Sequence, residues 1–373
     1  MSASVSVPTS NVAGDRRFMR LALSLGRRGL GRTWPNPAVG AVIVRDEEIV
    51  GRGWTQPGGR PHAEIEALRR AGAMARGATL YVTLEPCSHH GKSPPCADAV
   101  IASGIARVVS AMEDPNPEVG GRGHARLRSA GIAVDIGIEA ATARRDHAGH
   151  IRRMRDGRPQ LCRPRKWQAA GAGRKRVPIT GNAVRDRVHL MRAGSDAIMI
   201  GIGTALADDP VLTCRLPGMA KMSPTRVVLD AGLRLPLQSR LLATAGEMPL
   251  LIMAGKHAPA ASETAVRQHG AEVVRVAETE GRLDPREVLN LLAERGITRL
   301  MVEGGPTVAS ALIEADLVDE AVFFHSPVVI GEEGLPALES RAAQLPNQHL
   351  NRVSSEPVGP DRREVYERGS DHV

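Results

Sequence analysis

Short apolar strands alternate with helical segments along most of this chain, and this alternation constrains the fold more than any other feature. In the first half, helices are predicted at Phe18–Leu25, Ala63–Ala71 and Asp98–Ser103, and strands at Ala38–Val44, Thr79–Leu84 and Arg107–Met112. Such alternation is typical of a layered α/β domain, in which helices cover the faces of a sheet.

The second half repeats the pattern without repeating the sequence. Strands are predicted at Ala197–Ile200, Arg226–Asp230, Pro249–Met253, Val273–Val276, Arg299–Glu303 and Glu320–Phe324, with helices at Pro285–Ala293 and Val308–Ala315. The chain has 373 residues. Because a single hydrophobic core usually stops growing at about 250 to 300 residues, we expect two α/β domains.

A basic stretch that contains several Gly and Pro residues separates the halves. Between Arg144 and Arg176 there are twelve Lys or Arg and two Asp, so the net charge of +8 is concentrated there. A charge run of this kind is most often a solvated connector. We therefore predict a disordered tail at 1–15, a first domain at 16–150, a boundary segment at 151–178 and a second domain at 179–373.

Composition excludes several classes of protein. Aromatic residues make up 2% of the chain, too few for the stacking platforms of proteins that bind single-stranded nucleic acid, so no nucleic-acid partner is expected. No apolar run is long enough for a transmembrane helix, and the N-terminus lacks the pattern of a signal peptide. Four cysteines are too few for a disulfide scaffold. The expected compartment is the cytoplasm, without a membrane partner.

The first half carries residues typical of a catalytic zinc site. His62 and Glu64 lie where a loop enters a predicted helix, Cys87 follows a predicted strand, and Cys96 opens the next helix. Zinc binds imidazole nitrogen and thiolate sulfur, and a catalytic zinc keeps one position for water. His62, Cys87 and Cys96 are therefore the predicted Zn²⁺ ligands. Glu64 is predicted to carry a proton from that water to a leaving amine.

The order of these residues is more specific than any one of them. A lone His-x-Glu is usually a surface pair, and two well-separated cysteines are more often buried thiols than metal ligands. In contrast, His-x-Glu followed by Pro-Cys and a further Cys is the signature of zinc-dependent nucleobase deaminases.

Longer runs around this signature resemble one family. PNPAVGAVIV, PHAEIEAL, GATLYVTLEPCSHHGKSPPCADAVI and EDPNPEVGGRG are similar to the deaminase half of the bifunctional riboflavin-biosynthesis family, in which a diaminohydroxyphosphoribosylaminopyrimidine deaminase is fused to a 5-amino-6-(5-phosphoribosylamino)uracil reductase. Cytidine and transfer-RNA adenosine deaminases have a much shorter spacer between the two cysteines. The resemblance implies a three-layer, cytidine-deaminase-like fold. It assigns Asn36, His89 and Lys92 to binding of a phosphoribosyl-pyrimidine substrate.

The second half resembles the reductase half of the same family. GIGTALADDPVLTCR and MVEGGPTVASALI carry glycine turns between strand and helix, where backbone amides can approach a phosphate. The resemblance implies a fold similar to dihydrofolate reductase, NADPH as hydride donor, and a homo-oligomer. It assigns NADPH binding to Thr204, Asp208, Gly305, Pro306 and Thr307, and substrate binding to Arg192, Leu212, Arg215 and Glu303.

The resemblance is interrupted between Leu161 and Pro178. The chain reads CRPRKWQAAGAGRKRVP where the family's reductase opens with a strand of the form Leu-Lys-Leu-Ala and then Ser-x-Asp-Gly. No strand is predicted there, because Pro164 lies among basic residues and proline cannot donate to a strand ladder. A cofactor-side Ser of the family is replaced by Ala231.

The resemblance therefore implies a two-step enzyme of riboflavin biosynthesis. Zinc-dependent hydrolytic deamination of 2,5-diamino-6-(5-phosphoribosylamino)pyrimidin-4(3H)-one would precede NADPH-dependent reduction of the ribosyl chain to ribityl. Two alternatives remain open. One is a deaminase whose second domain is only structural, and the other is a nucleic-acid base deaminase that binds phosphates through the basic stretch. A purely structural zinc site is disfavoured, because closed sites take four ligands.

Overall fold

The computed structural model describes residues 12–91, 93–117, 119–166, 168–170, 181–279, 281–303, 305–327, 335–336 and 350–369. The chain divides into two compact units, Met1–Asp156 and Gly157–Val373. This division falls inside the segment 151–178 that the sequence analysis treats as a boundary. Among the described residues, no helix combines the length and the apolar character needed to cross a membrane.

A five-stranded sheet forms the centre of the first unit. Its strands are β1 (Gly40–Arg45), β2 (Glu48–Trp54), β3 (Thr79–Val82), β4 (Arg107–Ser110) and β5 (Ala133–Ile136). Their order across the sheet is β2-β1-β3-β4-β5. Strand β1 is antiparallel to β2 and β3, whereas β3, β4 and β5 are parallel. All residues of β3 and β4 are buried, as expected for strands covered on both faces.

The described helices of this unit include the segments that carry the predicted zinc site. They are α1 (Val12–Gly26), α2 (Ala63–Ala71), α3 (Cys96–Ser103), α4 (Arg122–Ser129), α5 (Ala140–Asp146) and α6 (Ala148–Asp156). Helix α2 packs directly on β2 at Gly53, where a Cβ atom would lie 2.4 Å from the carbonyl oxygen of Ala63. Only glycine allows this close approach, which places the start of α2 against the sheet.

Helix α1 corrects the prediction of a disordered tail through residue 15. The helix begins at Val12, and Asp15 in its first turn is buried. The Asp15 carboxylate accepts two hydrogen bonds from the Arg107 guanidinium, at 2.9 and 2.8 Å, and one from the Tyr81 hydroxyl at 2.7 Å. These bonds link the first turn of α1 to β3 and β4, so the ordered part of the chain starts earlier than its polar composition indicates.

The second unit contains the remaining strands. In chain order they are β6 (Gln160–Lys166), β7 (Gln168–Ala170), β8 (Ala197–Gly201), β9 (Thr225–Leu229), β10 (Leu250–Gly255), β11 (Glu272–Val276), β12 (Glu278–Thr279), β13 (Arg282–Leu283), β14 (Arg299–Val302), β15 (Glu320–His325), β16 (Leu335–Pro336), β17 (Leu350–Val358) and β18 (Asp361–Arg368). Nine of them form one sheet in the order β11-β10-β9-β8-β14-β6-β15-β18-β17. The pairs from β11 to β15 are parallel, and β18 is antiparallel to both β15 and β17.

Helices connect the parallel strands of this sheet. They are α7 (Asn182–Ala193), α8 (Ile202–Asp208), α9 (Arg240–Ala243), α10 (Ala260–Gln268), α11 (Pro285–Glu294) and α12 (Pro306–Glu314). Two apolar clusters cover opposite faces of the sheet. Along β8, Met199 packs in one cluster, and Ile198 and Ile200 pack in the other, which is the two-residue period of a strand.

Strand β6 corrects the expectation that residues 161–178 contain no strand. It pairs in parallel with β14 as far as Cys162, and with β15 from Cys162 to Lys166. Among the described strands, Pro164 therefore has only β15 beside it. Strand β6 lies inside the sheet, between β14 and β15, but its pairing with β14 ends at Cys162, so a residue that cannot donate to the ladder is tolerated at Pro164. Residues 171–180 lie outside the described part of the chain.

Candidate active sites

His62, Cys87 and Cys96 converge in the first unit. His62 immediately precedes α2, Cys96 is the first residue of α3, and Cys87 lies in the segment between β3 and α3. The Nδ1 atom of His62 lies 3.7 Å from the Sγ of Cys87 and 3.3 Å from the Sγ of Cys96. All three potential ligand atoms lie within 4.8 Å of one another.

This donor set has the spacing and the chemistry of a tetrahedral zinc site. With the usual Zn–N and Zn–S bond lengths, ligand atoms at tetrahedral corners would be about 3.5 Å apart. The backbone N–H of Cys96 donates to the Sγ of Cys87 at 3.3 Å. The hydrogen bond from the Cys96 thiol lowers the pKa of Cys87 to about 4, against the opposing effect of burial. Cys87 therefore favours the thiolate form, which is the form that binds metal.

Glu64 lies beside this site, two residues after His62. It is the second residue of α2, and it is 3% exposed. Burial raises the pKa of Glu64 to about 7, although the nearby His62 ring opposes the shift. A carboxyl group with such a pKa can both accept and release a proton near neutral pH, which is the requirement for general acid/base catalysis.

Glu85 organises the loop beside this site, and the sequence analysis missed it. Its carboxylate is buried, and it accepts four backbone N–H groups. The donors are Asp114 at 3.0 Å, Gly121 at 2.9 Å, Gly123 at 2.7 Å and His124 at 3.2 Å. The available signal was an acidic residue directly after a buried strand, since a buried carboxylate requires hydrogen-bond partners.

The residues assigned to the deaminase substrate lie in two loops. The Asn36 amide donates to the carbonyl of Gly59 at 2.8 Å, in the segment that leads to His62. His89 is exposed and lies within electrostatic range of Asp114. Arg60, which was not predicted, donates to the hydroxyl of Ser93 in the spacer between the two cysteines. Lys92 lies outside the described residues.

In the second unit, two residues assigned to the reductase substrate form a close ion pair. The Arg192 guanidinium donates through Nε and Nη2 to the two carboxylate oxygens of Glu303, both at 2.6 Å. Its Nη1 atom donates to the carbonyl of Thr213 at 3.0 Å. Arg192 thereby joins the end of α7 to the residue after β14 and to the segment that carries the remaining predicted substrate residues.

That segment contains Leu212 and Arg215. Leu212 is 4% exposed. Its φ of 59° lies in the left-handed region. A bulky residue rarely adopts this conformation, and such backbone strain concentrates at functional sites. Arg215 follows three residues later and is exposed.

The predicted NADPH residues lie in or directly before two helices, α8 and α12, which follow the adjacent parallel strands β8 and β14. Thr204 is in the first turn of α8, and Gly305 precedes α12, with Pro306 and Thr307 in its first turn. The N–H of Gly305 donates to the Oγ1 of Thr204 at 3.1 Å. Asp208 is exposed at the end of α8, one turn beyond Thr204. Dinucleotides bind at the carboxyl ends of the strands in open parallel sheets, so the arrangement fits NADPH.

Comparison with known proteins supports a deaminase in the first half of the chain and a reductase in the second half. Residues 13–112 match the model of the cytidine and deoxycytidylate deaminase zinc-binding region, and residues 167–362 match that of the RibD C-terminal domain. The chain is 40% identical to the riboflavin biosynthesis protein RibD of Escherichia coli (strain K12), over 93% of this chain and 97% of that protein. The chain belongs to the RibD family. A RibD from Aquifex aeolicus (strain VF5) is 39% identical over 85% of this chain and 88% of its own length.

Solved structures of the RibD family are similar over nearly the whole chain. Acinetobacter baumannii RibD in its form 1 has a TM-score of 0.85 and 32% identity, over 96% of this chain and 100% of that chain. A Thermotoga maritima protein described as a diaminohydroxyphosphoribosylaminopyrimidine deaminase/5-amino-6-(5-phosphoribosylamino)uracil reductase has a TM-score of 0.83 and 32% identity, with the same coverage.

Family membership confirms the predicted deaminase and reductase activities and the predicted cofactors, Zn²⁺ and NADPH. The chain is an enzyme of riboflavin biosynthesis with a deaminase domain and a reductase domain. The zinc-binding deaminase region and the RibD C-terminal domain fit Zn²⁺ and NADPH. The match to the RibD C-terminal domain begins at residue 167, inside the stretch where the sequence resemblance is interrupted.

Proposed function

We propose that the first unit deaminates 2,5-diamino-6-(5-phosphoribosylamino)pyrimidin-4(3H)-one and that the second unit then reduces the ribosyl chain of the product. The single observation that carries the proposal is the convergence of His62, Cys87 and Cys96 beside the buried carboxyl group of Glu64. The two activities named for the Thermotoga maritima relative support this choice of substrate.

In the deamination step, the protein would hold the metal and move the protons. His62, Cys87 and Cys96 would bind zinc, which when present supplies a Lewis acid that activates water at neutral pH. Glu64 would take the proton of the attacking water and deliver it to the exocyclic amine, which leaves as ammonia while the ring carbon keeps the oxygen. The burial that raises the pKa of Glu64 to about 7 equips it for both transfers.

The deaminase substrate would be held by loop residues beside the zinc site. Asn36, His89 and Lys92 are the proposed contacts to the phosphoribosyl-pyrimidine. The spacer between the two cysteines suits a phosphate because it carries polar and basic side chains. Glu85 would keep the loop from Asp114 to His124 in place beside it through its four backbone hydrogen bonds.

In the reduction step, the protein mainly positions the reactants. NADPH supplies the hydride when bound. Thr204, Asp208, Gly305, Pro306 and Thr307 are the proposed cofactor contacts. Arg192, Leu212, Arg215 and Glu303 would hold the opened ribose imine, so that its carbon receives the hydride and its nitrogen takes a proton to give the ribityl amine. A guanidinium suits the substrate phosphate because it forms bidentate bonds to oxyanions.

We further propose a cytoplasmic homo-oligomer whose partners are small molecules and include neither nucleic acid nor a membrane. The family resemblance supports the oligomer. The low aromatic content of 2% argues against a single-stranded nucleic-acid platform. Sedimentation and salt-dependent RNA binding would test these two points.

Turnover of the diaminopyrimidine substrate with and without NADPH tests both steps together. We expect ammonia release in either condition, and NADPH oxidation that follows deamination. Ammonia release without NADPH oxidation would support the alternative of a deaminase with a structural second domain. Failure to release ammonia by zinc-loaded protein would contradict the proposal.

A further inference from the structure

His189 lies within the proposed reductase site, although neither the motifs nor the resemblance assigns it a role. It is on α7, three residues before Arg192, so the two side chains share one face of the helix. The imidazole is half-buried and lies within electrostatic range of Arg192, Arg215 and Glu303.

The imidazole contacts the backbone of the segment that carries Arg215. The N–H of Arg215 donates to the Nδ1 of His189 at 3.4 Å. One turn further along α7, Arg192 donates to the carbonyl of Thr213 at 3.0 Å. The hydroxyl of Ser223 accepts the intervening N–H of Cys214 at 3.1 Å. Each residue of this short segment is therefore anchored, and His189 provides the anchor at Arg215 itself.

The protonation state of His189 suits this contact. Burial lowers the pKa of His189, and the neighbouring Arg192 and Arg215 lower it further, against hydrogen bonding to the Thr213 backbone and the charge of Glu303. The ring is therefore neutral near neutral pH, and its Nδ1 lone pair can accept the backbone hydrogen bond.

The two guanidinium groups of the site differ in what they can offer to a substrate. Arg192 is already neutralised by two hydrogen bonds to Glu303. Arg215, in contrast, is exposed. An incoming phosphate would therefore meet Arg215, and the position of its backbone decides where that guanidinium can reach.

We propose that His189 is a positioning residue of the reductase, which holds the backbone amide of Arg215 so that its guanidinium binds the substrate phosphate. This inference rests on the proposed reductase function. It assigns His189 no contact with the reacting atoms, so its loss should affect recognition of the phosphate rather than hydride transfer.

His189→Ala and His189→Asn separate this role from a general structural one. The Asn side chain can place its Oδ1 where Nδ1 lies, so it should keep the hydrogen bond. For the phosphorylated substrate, we expect His189→Ala to raise KM about 5- to 10-fold, the effect of one lost hydrogen bond, with kcat and the KM for NADPH nearly unchanged. His189→Asn should restore most of the affinity. His269→Ala is the matched control, because within the described part of the chain the His269 side chain bonds Ala265 of the helix that it follows.

Two comparisons decide whether the effect passes through Arg215. With the dephosphorylated substrate, His189→Ala should behave like the parent protein, and on an Arg215→Ala background it should add little. Equal losses with both substrates, full additivity with Arg215→Ala, or failure of His189→Asn to rescue would overturn the proposal. Thermal unfolding midpoints identify any variant that fails to fold.

A binding measurement tests the positioning role of His189 independently of whether the protein is an active reductase. Titration with ribose 5-phosphate in a calorimeter needs no turnover. If the parent protein shows no NADPH oxidation, the reductase function fails. Weaker ribose 5-phosphate binding by His189→Ala but not by His189→Asn would still support the positioning role, whereas equal binding by all three proteins would overturn it.

Discussion

Glu64 shows how the environment of a single side chain decides its chemistry. It shares α2 with Glu66, which is also buried but is paired with Arg69 at 2.9 Å. Among the described residues, Glu64 has no ion pair with Arg or Lys, and burial raises its pKa to about 7, although the nearby His62 opposes the shift. Two glutamates two positions apart therefore have different environments: Glu66 forms an ion pair, and proton transfer is proposed for Glu64.

Replacing Glu64 with Gln should abolish deamination while leaving metal binding intact. The amide has the size of the carboxyl group but cannot shuttle protons, so we expect kcat to fall by about 10² to 10⁴. Zinc content, measured by metal analysis, should stay at the parent level because the ligands are other residues. Glu66→Gln is the control and should retain most activity. Normal turnover by Glu64→Gln would remove the proposed mechanism.

The Asp15–Arg107 pair links single residues to the stability of the first unit. The side chains of both residues are almost fully buried, whereas the second partner of Arg107, Asp135, is half exposed. Removing one partner of a buried pair leaves an uncompensated charge. Exposed pairs contribute little, because solvent screens them.

Asp15→Asn should therefore destabilise the protein by about 3 kcal/mol, and Asp135→Asn by less than about 1 kcal/mol. Denaturant unfolding of the first unit measures both. The pair with Arg107 keeps the pKa of Asp15 below its usual value, despite the opposing effect of burial. The stabilisation by this pair is therefore fully present above the pKa that Asp15 has in the unfolded chain. It is lost as pH falls through the lower pKa that Asp15 has in the folded protein. The difference between Asp15→Asn and the parent should shrink in acid, and a constant difference would contradict this assignment.

Secondary-structure elements were predictable where the apolar pattern is local. The helix Ala63–Ala71 and the start of β3 at Thr79 agree with the sequence prediction, because periodicity and turn residues define them. Strand β6 could not be predicted, since its stability comes from β14 and β15, which lie far away in sequence. The zinc set was predictable from residue order. Glu85 and His189 were not, because their roles depend on backbone groups that only the fold brings near.

Glu85 holds a loop in place, so its replacement tests the role of that loop rather than the role of a reacting group. Glu85→Gln replaces one acceptor oxygen by a donor, so at least one backbone N–H of the loop from Asp114 to His124 loses its partner. We expect a rise of about tenfold or more in the KM of deamination with zinc content unchanged. Glu113→Gln is the control, because Glu113 directly precedes this loop and its side chain is 57% exposed. An unchanged KM would show that the loop does not position the substrate.

The molecule as a whole combines two chemistries in two compact units, and each proposed site draws its residues from one unit. The zinc set and Glu64 lie within Met1–Asp156, and the substrate and NADPH residues of the reductase lie within Gly157–Val373. Each half-reaction should therefore depend only on the residues of its own unit.

Mixing two singly inactivated proteins tests whether each half-reaction depends only on its own unit. Glu64→Gln should release no ammonia but should still reduce the deaminated intermediate, whereas Glu303→Gln should deaminate but not reduce, since it weakens the contact with Arg192. The intermediate is a small molecule, so it can diffuse from one protein to the other. When the mixture is given the diaminopyrimidine substrate, it should again oxidise NADPH, which is measured as a loss of NADPH absorbance. If each variant keeps its own half-reaction but the mixture does not regain the whole, the intermediate must pass between the sites without release, and the two units would not be independent catalysts.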